Sequence, residues 1–266
     1  MTNDGTKTTR SRGVQTIETG GRILAALAQA RGAVQLRDLA EAVGISSAQL
    51  HPYMVSFREM DMVEQTDRGR YQLGPFALHL GLSRLRNQNA YRETIARVGA
   101  LSDDLGLMVS ISVWGMHGPT ITYVQEFDAR IHANVQVGGN YNMTVTATGA
   151  VFGAFLPRSV TEPVVARELS DREFLRRAFF KVDAEAYRAA TEQARQDGYA
   201  TTRDMPIPGV SAVAAPVFDH SGKMQLAVTV IGPTGYIDLE PNGTPVRNLL
   251  EFTETLSRDL GYDPSA

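Results

Sequence analysis

The sequence predicts a mixed α+β chain in two parts: a small helical head closed by a short hairpin, then a larger body built on an antiparallel sheet. Three observations carry the prediction. Apolar residues recur at helical spacing over the first sixty residues, around one glycine turn and one capping sequence. A strand–turn–strand run follows directly. Beyond residue 90, strands and helices succeed each other without the regular alternation that builds a parallel sheet.

Taken in order, Ile17, Leu24, Leu27 and Ala28 place a first helix over 17–30, with Gly20, Gly21 and Gly32 weakening its ends. Leu36, Leu39, Ala40 and Val43 repeat at three- and four-residue spacings and predict a second. Gly44 stands where a left-handed residue ends a helix. Ser46-Ser47-Ala48-Gln49 then reads as a capping box, and it opens a third helix with Leu50, Met54 and Phe57 as its buried stripe. Helix, tight glycine turn and capped helix make the helix-turn-helix pattern. Val63, Tyr71 and Leu73 supply the buried face of a hairpin bending at Asp67-Arg68-Gly69, in the position of a wing. Arg68 and Arg70 on that wing are placed to meet phosphate.

Pro75 opens another helix at the favoured first position, with Phe76, Leu80 and the 82–85 segment on its apolar side. His79 near that face reads as a packed or exposed helix residue. A helix over 91–106 ends at Gly106. Two alternating runs within 107–127 are broken at 115–119, and 131–139 gives a third run. The segment 146–157 reads as a helix entered through small residues, and another helix covers 183–196 before Gly198. A final hairpin spans 212–233 and turns at 219–222. A closing helix runs over 246–256.

Composition narrows the function. Apolar residues at 43% and charged residues at 21% exclude a disordered chain. The absence of cysteine excludes thiolate nucleophiles, disulfides and cysteine-ligated zinc, and fits a reducing compartment. No apolar run approaches the roughly 18 residues of a membrane span, and the first residues lack the apolar stretch of a secretory signal. The expectation is a soluble cytoplasmic protein with no membrane partner. The net charge of −3 divides unevenly: residues 1–90 hold 11 basic and 8 acidic residues, and residues 91–266 hold 15 and 21. A head at +3 on a body at −6 suggests different partners for the two parts. Lys7, Arg10 and Arg12 lie in a polar tail that reads either as a solvated end or as an arm touching DNA.

Catalytic patterns are missing. The sequence has no P-loop, dinucleotide fingerprint, paired-histidine zinc motif or nucleophile elbow. The histidines, at 51, 79, 117, 132 and 220, lack metal-ligand spacing, and His117 with His132 does not by itself make a site. The chain is expected not to be an enzyme and to need no cofactor or metal.

Several segments carry a resemblance. Val14-Gln15-Thr16-Ile17-Glu18, Arg22-Ile23-Leu24, 39–44 (LAEAVG) and 69–75 (GRYQLGP) resemble the IclR family of bacterial transcription regulators. In the body, Gly198-Tyr199-Ala200, Pro208-Gly209-Val210, Ala214-Ala215-Pro216-Val217 and Gly232-Pro233 continue it, so the likeness covers nearly the whole chain. The resemblance implies an N-terminal winged helix-turn-helix joined by a linker helix to a GAF-like α+β effector-binding domain. It also implies double-stranded operator DNA as partner and assembly as a homodimer or dimer of dimers. The expected organisation is a disordered basic arm over 1–13, a DNA-binding domain over 14–74, a linker helix over 75–89 and an effector-binding domain over 90–263.

On that reading Ser46, Ser47, Gln49 and His51 present the readout surface, with Arg12, Arg68 and Arg70 around it. A glutamine makes a bidentate pair with adenine worth roughly 1–3 kcal/mol of discrimination. Ser47 and His51 suit phosphate, and Tyr53 suits packing or a backbone contact. The family usually carries His-Arg in this helix, where this chain has His51-Pro52. An interior proline removes the bond to the Ala48 carbonyl and costs about 3 kcal/mol or bends the helix. Two consequences fit: a different operator, or weakened DNA binding.

The effector site is expected around the entry to the 146–157 helix. A helix N-terminus favours an anion, so a carboxylate sits naturally on the amides of Ala147 and Thr148, flanked by Thr146 and Gly149. Thr146 also reads as a plain helix cap. The resemblance implies further lining at Thr202, Met205, Val210, Ala212, Thr229 and Ile231. At 202, 212 and 231 some relatives carry Asp, Cys and Ser where this chain has Thr, Ala and Ile, which points to an aromatic or apolar organic acid. Trp114 and Tyr123 read as an aromatic wall or as core packing, and Arg130 as a carboxylate partner or an exposed cation. The function expected is a ligand-responsive regulator of a catabolic operon. Its rival is a sensor or scaffold with a degenerate DNA-binding head.

Overall fold

The computed structural model describes residues 13–30, 32–86, 89–127, 135–177 and 182–263. The chain divides into two compact units between residues 87 and 88.

The first unit comprises α1 (Gln15–Gln29), α2 (Leu36–Val43), α3 (Ser47–Glu59), the hairpin β1 (Val63–Gln65) and β2 (Tyr71–Leu73), and α4 (Pro75–Arg86). Its core joins Ile23 and Leu27 of α1, Leu39, Ala40 and Val43 of α2, Leu50, Met54 and Phe57 of α3, and Val63 and Tyr71 of the hairpin. The buried face of α1 differs from the one expected. Thr19, Gly20, Ile23 and Leu27 point inward, whereas Ile17 is 72% exposed and Ala28 is exposed. Gly20 explains the shift: a Cβ there would lie 3.1 Å from Phe57 Cζ, so the bare backbone lets the α3 ring seat against α1. Val34 bridges Tyr71, which fastens the strand edge of the wing to the loop before α2.

The second unit contains α5 (Asn89–Leu105), β3 (Met108–Gly115), β4 (Gly118–Gln125), α6 (Ala147–Phe155), α7 (Arg158–Ser170), α8 (Arg172–Arg177), α9 (Ala184–Asp197), β5 (Ala200–Thr202), β6 (Val210–Phe218), β7 (Met224–Pro233) and α10 (Thr244–Asp259). Among the described residues five strands form one antiparallel sheet in the order β4-β3-β7-β6-β5. The third strand-like run is not a strand in its described part. Residues 135–139 end in a turn at Val137-Gly138, closed by Gly139 N–H on the Gln136 carbonyl and followed by a single bridge from Asn140 to Thr120.

Alternation sorts the sheet's two faces. Val109 and Ile111, with Val213, Val228 and Val230, face α5 and α10, whose Val98, Leu101, Leu249 and Leu256 are buried. The opposite face carries Ser110, Ser112, Trp114, Ala212, Ala214, Ala227, Thr229 and Ile231. There α6 lies on the strands and α9 lies on α6. Small strand residues let α6 sit close, and every residue from Ala147 to Ala154 is buried.

Candidate functional site

On the first unit the turn between α2 and α3 sets the outward face. Gly44 adopts the left-handed conformation (φ +74°) and donates to the Ala40 and Glu41 carbonyls. The capping box then closes: the Gln49 amide donates to Ser46 Oγ at 3.2 Å, and Ser46 N–H donates to Gln49 Oε1 at 3.0 Å. Ser46 Oγ also meets Gln49 Oε1 at 3.0 Å. The Gln49 oxygen is therefore occupied by the helix cap, and a bidentate pair with adenine needs that oxygen to accept from the base. A bidentate pair with adenine therefore requires the capping box to release that oxygen.

Tyr53 is half-buried and packs against the first unit's core. Ser46, Ser47 and His51 are exposed, and α3 runs unbroken from Ser47 to Glu59 through Pro52. Arg68 and Arg70 stand exposed at the wing tip and make no ion pair among the described residues. The tip is held by Gly69 N–H and Arg70 N–H on Thr66 and by Gln65 Nε2 on the Gly69 carbonyl at 3.1 Å. Arg12 lies outside the described residues.

On the second unit the expected effector residues converge on the α6 face of the sheet. Thr202 lies across from Ala212, and Ala212 across from Ile231. In the adjacent row Thr229 lies between Ala214 and Ser110. Above that row Thr148 Oγ1 and Thr229 Oγ1 are 2.8 Å apart, both buried. One hydroxyl donates to the other, which leaves one O–H of the pair without an acceptor among the described residues. Val210 lies one row further, opposite Pro233, and Met205 is half-buried in the preceding loop.

The entry to α6 separates two roles that the sequence leaves together. Thr146 Oγ1 accepts from Gly149 N–H at 2.9 Å and donates to the Asn142 carbonyl at 2.7 Å. Thr146 is thus a cap, and the Gly149 amide is not available to an anion. The amides of Ala147 and Thr148 have no partner among the described residues, and a helix start favours negative charge there.

The two aromatic residues part company. Trp114 packs on Phe152 of α6, ring centroids 5.7 Å apart. Tyr123 belongs to the other face: it pairs with Ile111, and its hydroxyl donates to Gln125 Oε1 at 3.0 Å. A regular hairpin continued from Gly115 and Gly118 would set Tyr123 across from Ser110, on the Trp114 side. The register shifts between Ile111 and Ser112, and a one-residue shift turns every later side chain over. The aromatic wall is therefore corrected to Trp114 alone. Arg130 and His132 lie outside the described residues.

The structure adds residues the motif search passed over. Ser110 Oγ and the Tyr141 hydroxyl are 2.8 Å apart, and burial pushes the Tyr141 phenol up to about 12. Ser112, on the same face, has a buried hydroxyl with no partner among the described residues. The alternation Ser110-Ile111-Ser112 within an apolar strand was a legible sign of a polar stripe under α6. Glu168 of α7 was not legible. Its carboxylate accepts from Met143 N–H at 2.7 Å, Thr144 N–H at 3.0 Å and Thr144 Oγ1 at 2.9 Å, and so pins the loop that leads into α6.

A separate cavity of about 600 Å³ lies among α6, α7 and α9, with Gly153, Tyr187 and Arg188 in its lining. None of the expected effector residues lines it. Two of its arginines are engaged, Arg158 with Glu162 and Arg195 with Glu192 and the Ala154 carbonyl, and Arg188 has no ion pair among the described residues. Among the described residues no cluster of three or more His, Asp or Glu is arranged to hold a metal ion, and no helix is long and apolar enough to cross a membrane.

Comparison with known proteins agrees with both halves. Residues 16–67 match the IclR helix-turn-helix domain, and residues 83–258 match the bacterial transcriptional regulator IclR C-terminal domain. The glycerol operon regulatory protein of Streptomyces griseus is 30% identical over 263 residues, covering 94% of this chain and 98% of that protein. The crystal structure of Pseudomonas aeruginosa HmgR is 31% identical with a TM-score of 0.59, covering 94% of this chain and all of that one. An IclR homologue from Microbacterium hydrocarbonoxydans, crystallised with 4-hydroxybenzoate, superposes with a TM-score of 0.72 at 17% identity, over 92% of this chain and 99% of that one. A helix-turn-helix with a wing, followed by a sheet-based domain that both family descriptions cover in order, leaves one assignment: the chain belongs to the IclR family of bacterial transcriptional regulators.

Proposed function

We propose that this regulator binds operator DNA through Ser46, Ser47, His51, Arg68 and Arg70, and answers to a small aromatic or apolar acid held on the sheet face that carries Ser110, Ser112 and Thr229, beside the start of α6. The DNA-binding domain takes in 14–74, α4 links it onward, and the effector-binding domain, GAF-like in plan, covers 90–263. The exposed apolar side chains Phe76, Leu78, Leu80 and Leu82 along α4 support self-association as a dimer or dimer of dimers. A catabolic operon as target is supported by the Streptomyces relative, whose name places it on a glycerol operon. The cytoplasm is the compartment such a regulator works in.

One observation carries the effector assignment: the buried Ser112 hydroxyl, without a partner among the described residues, on the sheet face that also carries Thr229 and Ser110. An unsatisfied buried hydroxyl costs roughly 1–3 kcal/mol, which a ligand oxygen would offset. The Ala147 and Thr148 amides and the remaining O–H of the Thr148–Thr229 pair supply further donors for a carboxylate. Trp114 supplies an apolar surface. The Microbacterium complex with 4-hydroxybenzoate supports the same ligand class.

Thermal-shift titration with 4-hydroxybenzoate, and with glycerol as the competing chemistry, tests this directly. 4-Hydroxybenzoate is expected to raise Tm and glycerol is not. Ser112→Ala is expected to raise ligand-free stability by about 1 kcal/mol and to reduce the ligand-induced shift. An unchanged shift in the variant moves the ligand away from Ser112, and a glycerol response replaces the acid reading.

The DNA assignment is tested by salt titration of binding to the duplex upstream of the protein's own gene. Arg68→Ala with Arg70→Ala is expected to weaken binding to all sequences and to flatten the log–log salt slope by about 2. Unchanged affinity and slope would remove the wing from the phosphate backbone. Failure to bind any duplex at low salt leaves the sensor or scaffold reading instead.

A further inference from the structure

The outward face of α3 is apolar at its centre. The buried stripe Leu50, Met54 and Phe57 fixes which side of the helix meets the core. At 100° per residue, the positions opposite it are Ala48, Pro52 and Val55, followed by Glu59. All four are exposed, and Val55 is 42% exposed. These residues recur at i, i+4 and i+7, so they form one row along the helix and not three scattered contacts. Ser47 and His51 flank the row on one side and Ser56 on the other. Gln49 lies off to the side with its oxygen held by Ser46.

Resting on the reading of α3 as the helix that enters the major groove, we propose that Ala48, Pro52 and Val55 read the C5-methyl groups of thymine. The chemistry is selective. In the major groove the thymine methyl is the one apolar group a base pair presents, and side chains without hydrogen-bonding atoms recognise it. Ala48, Pro52 and Val55 offer only methyl and methylene groups there. The row from Ala48 to Val55 is about 10 Å long at 1.5 Å per residue, which matches roughly three base-pair steps of 3.4 Å. Glu59 ends it, because a carboxylate in the last turn opposes close approach to phosphate. Polar contacts are left to the flanking Ser47 and His51 and to the wing arginines. Pro52 then has a positive role: its ring adds apolar surface to the centre of the row. The half-site is accordingly expected to hold thymines within a window of about three base pairs under α3.

The test separates this inference from the DNA-binding reading beneath it. The full-length protein is used to select tight binders from a random duplex library, and the winning duplex is remade with deoxyuridine for every thymine, which removes only the methyl groups. The uracil duplex is expected to bind roughly fourfold more weakly for each methyl contacted, the factor that burial of one such carbon carries. Val55→Ala is expected to weaken binding to the thymine duplex and shrink the thymine-to-uracil ratio, with the salt slope unchanged because no phosphate contact is lost. Equal binding of the two duplexes overturns methyl readout while leaving DNA binding intact. A ratio unchanged in Val55→Ala overturns the assignment to this row. No enrichment of any duplex overturns the DNA-binding reading itself.

Discussion

Gly149→Ala is expected to destabilise the second unit by about 3 kcal/mol, the upper end of what overfilling a well-packed position costs. The added methyl would collide with the Asn142 and Met143 carbonyl oxygens and lie 2.5 Å from Met143 Cα. Flexible side chains retreat from such a contact, but these are main-chain atoms. Their loop is tied from both sides: Thr146 Oγ1 donates to the Asn142 carbonyl, and Glu168 accepts from Met143 and Thr144. The buried helix α6 cannot withdraw in the other direction without opening its contact with the sheet. Urea denaturation of the purified variant measures the effect. A loss below about 1 kcal/mol would mean that the loop yields freely and that the close approach is not what this position requires.

Glu168→Ala is expected to cost about 3 kcal/mol, because two main-chain N–H groups and the Thr144 hydroxyl lose a charged acceptor together. Met143 is fully buried, so water does not readily replace the carboxylate at its amide. Glu168→Gln keeps one acceptor oxygen and should recover part of the loss. The two sites are also coupled. With the loop released by Glu168→Ala, the methyl of Gly149→Ala meets a more yielding neighbour, and the double variant should lose less than the sum of the singles. Strict additivity in the double-mutant cycle would show that Glu168 does not hold the loop against Gly149.

Legibility in the sequence followed the range of the interaction. The capping box Ser46–Gln49, the left-handed Gly44 and Gly198, the Thr146 cap and the wing hairpin are decided within a few residues of chain, and each is where the spacing predicts it. The α1 face was misplaced because Gly20 reads locally as a weak helix former, whereas its purpose is to admit Phe57 from 37 positions away. Gln49 was read for its hydrogen-bonding repertoire, and the cap had already taken the oxygen that the repertoire needs. In the effector region, Thr202, Ala212, Thr229 and Ile231 are brought onto one face with Thr148, but through pairing among strands that lie far apart in sequence. Glu168 reaches its loop across some 25 residues, a distance over which no local pattern constrains partners.

The sequence by itself determined the order of elements, the helix-turn-helix with its wing and the small-residue entry to α6. Those depend on backbone preference, capping and apolar periodicity, which act over one or two turns. Only the tertiary structure decided which side chains share a face. The register shift between Ile111 and Ser112 sends Tyr123 away from Trp114, burial on the α6 side of the sheet gives Ser112 no partner among the described residues, and the placement of α3 turns Ala48, Pro52 and Val55 outward. Each outcome hinges on a single residue of register or about a third of a helical turn. Packing across the whole domain selects among such alternatives, since local energies differ too little to do so.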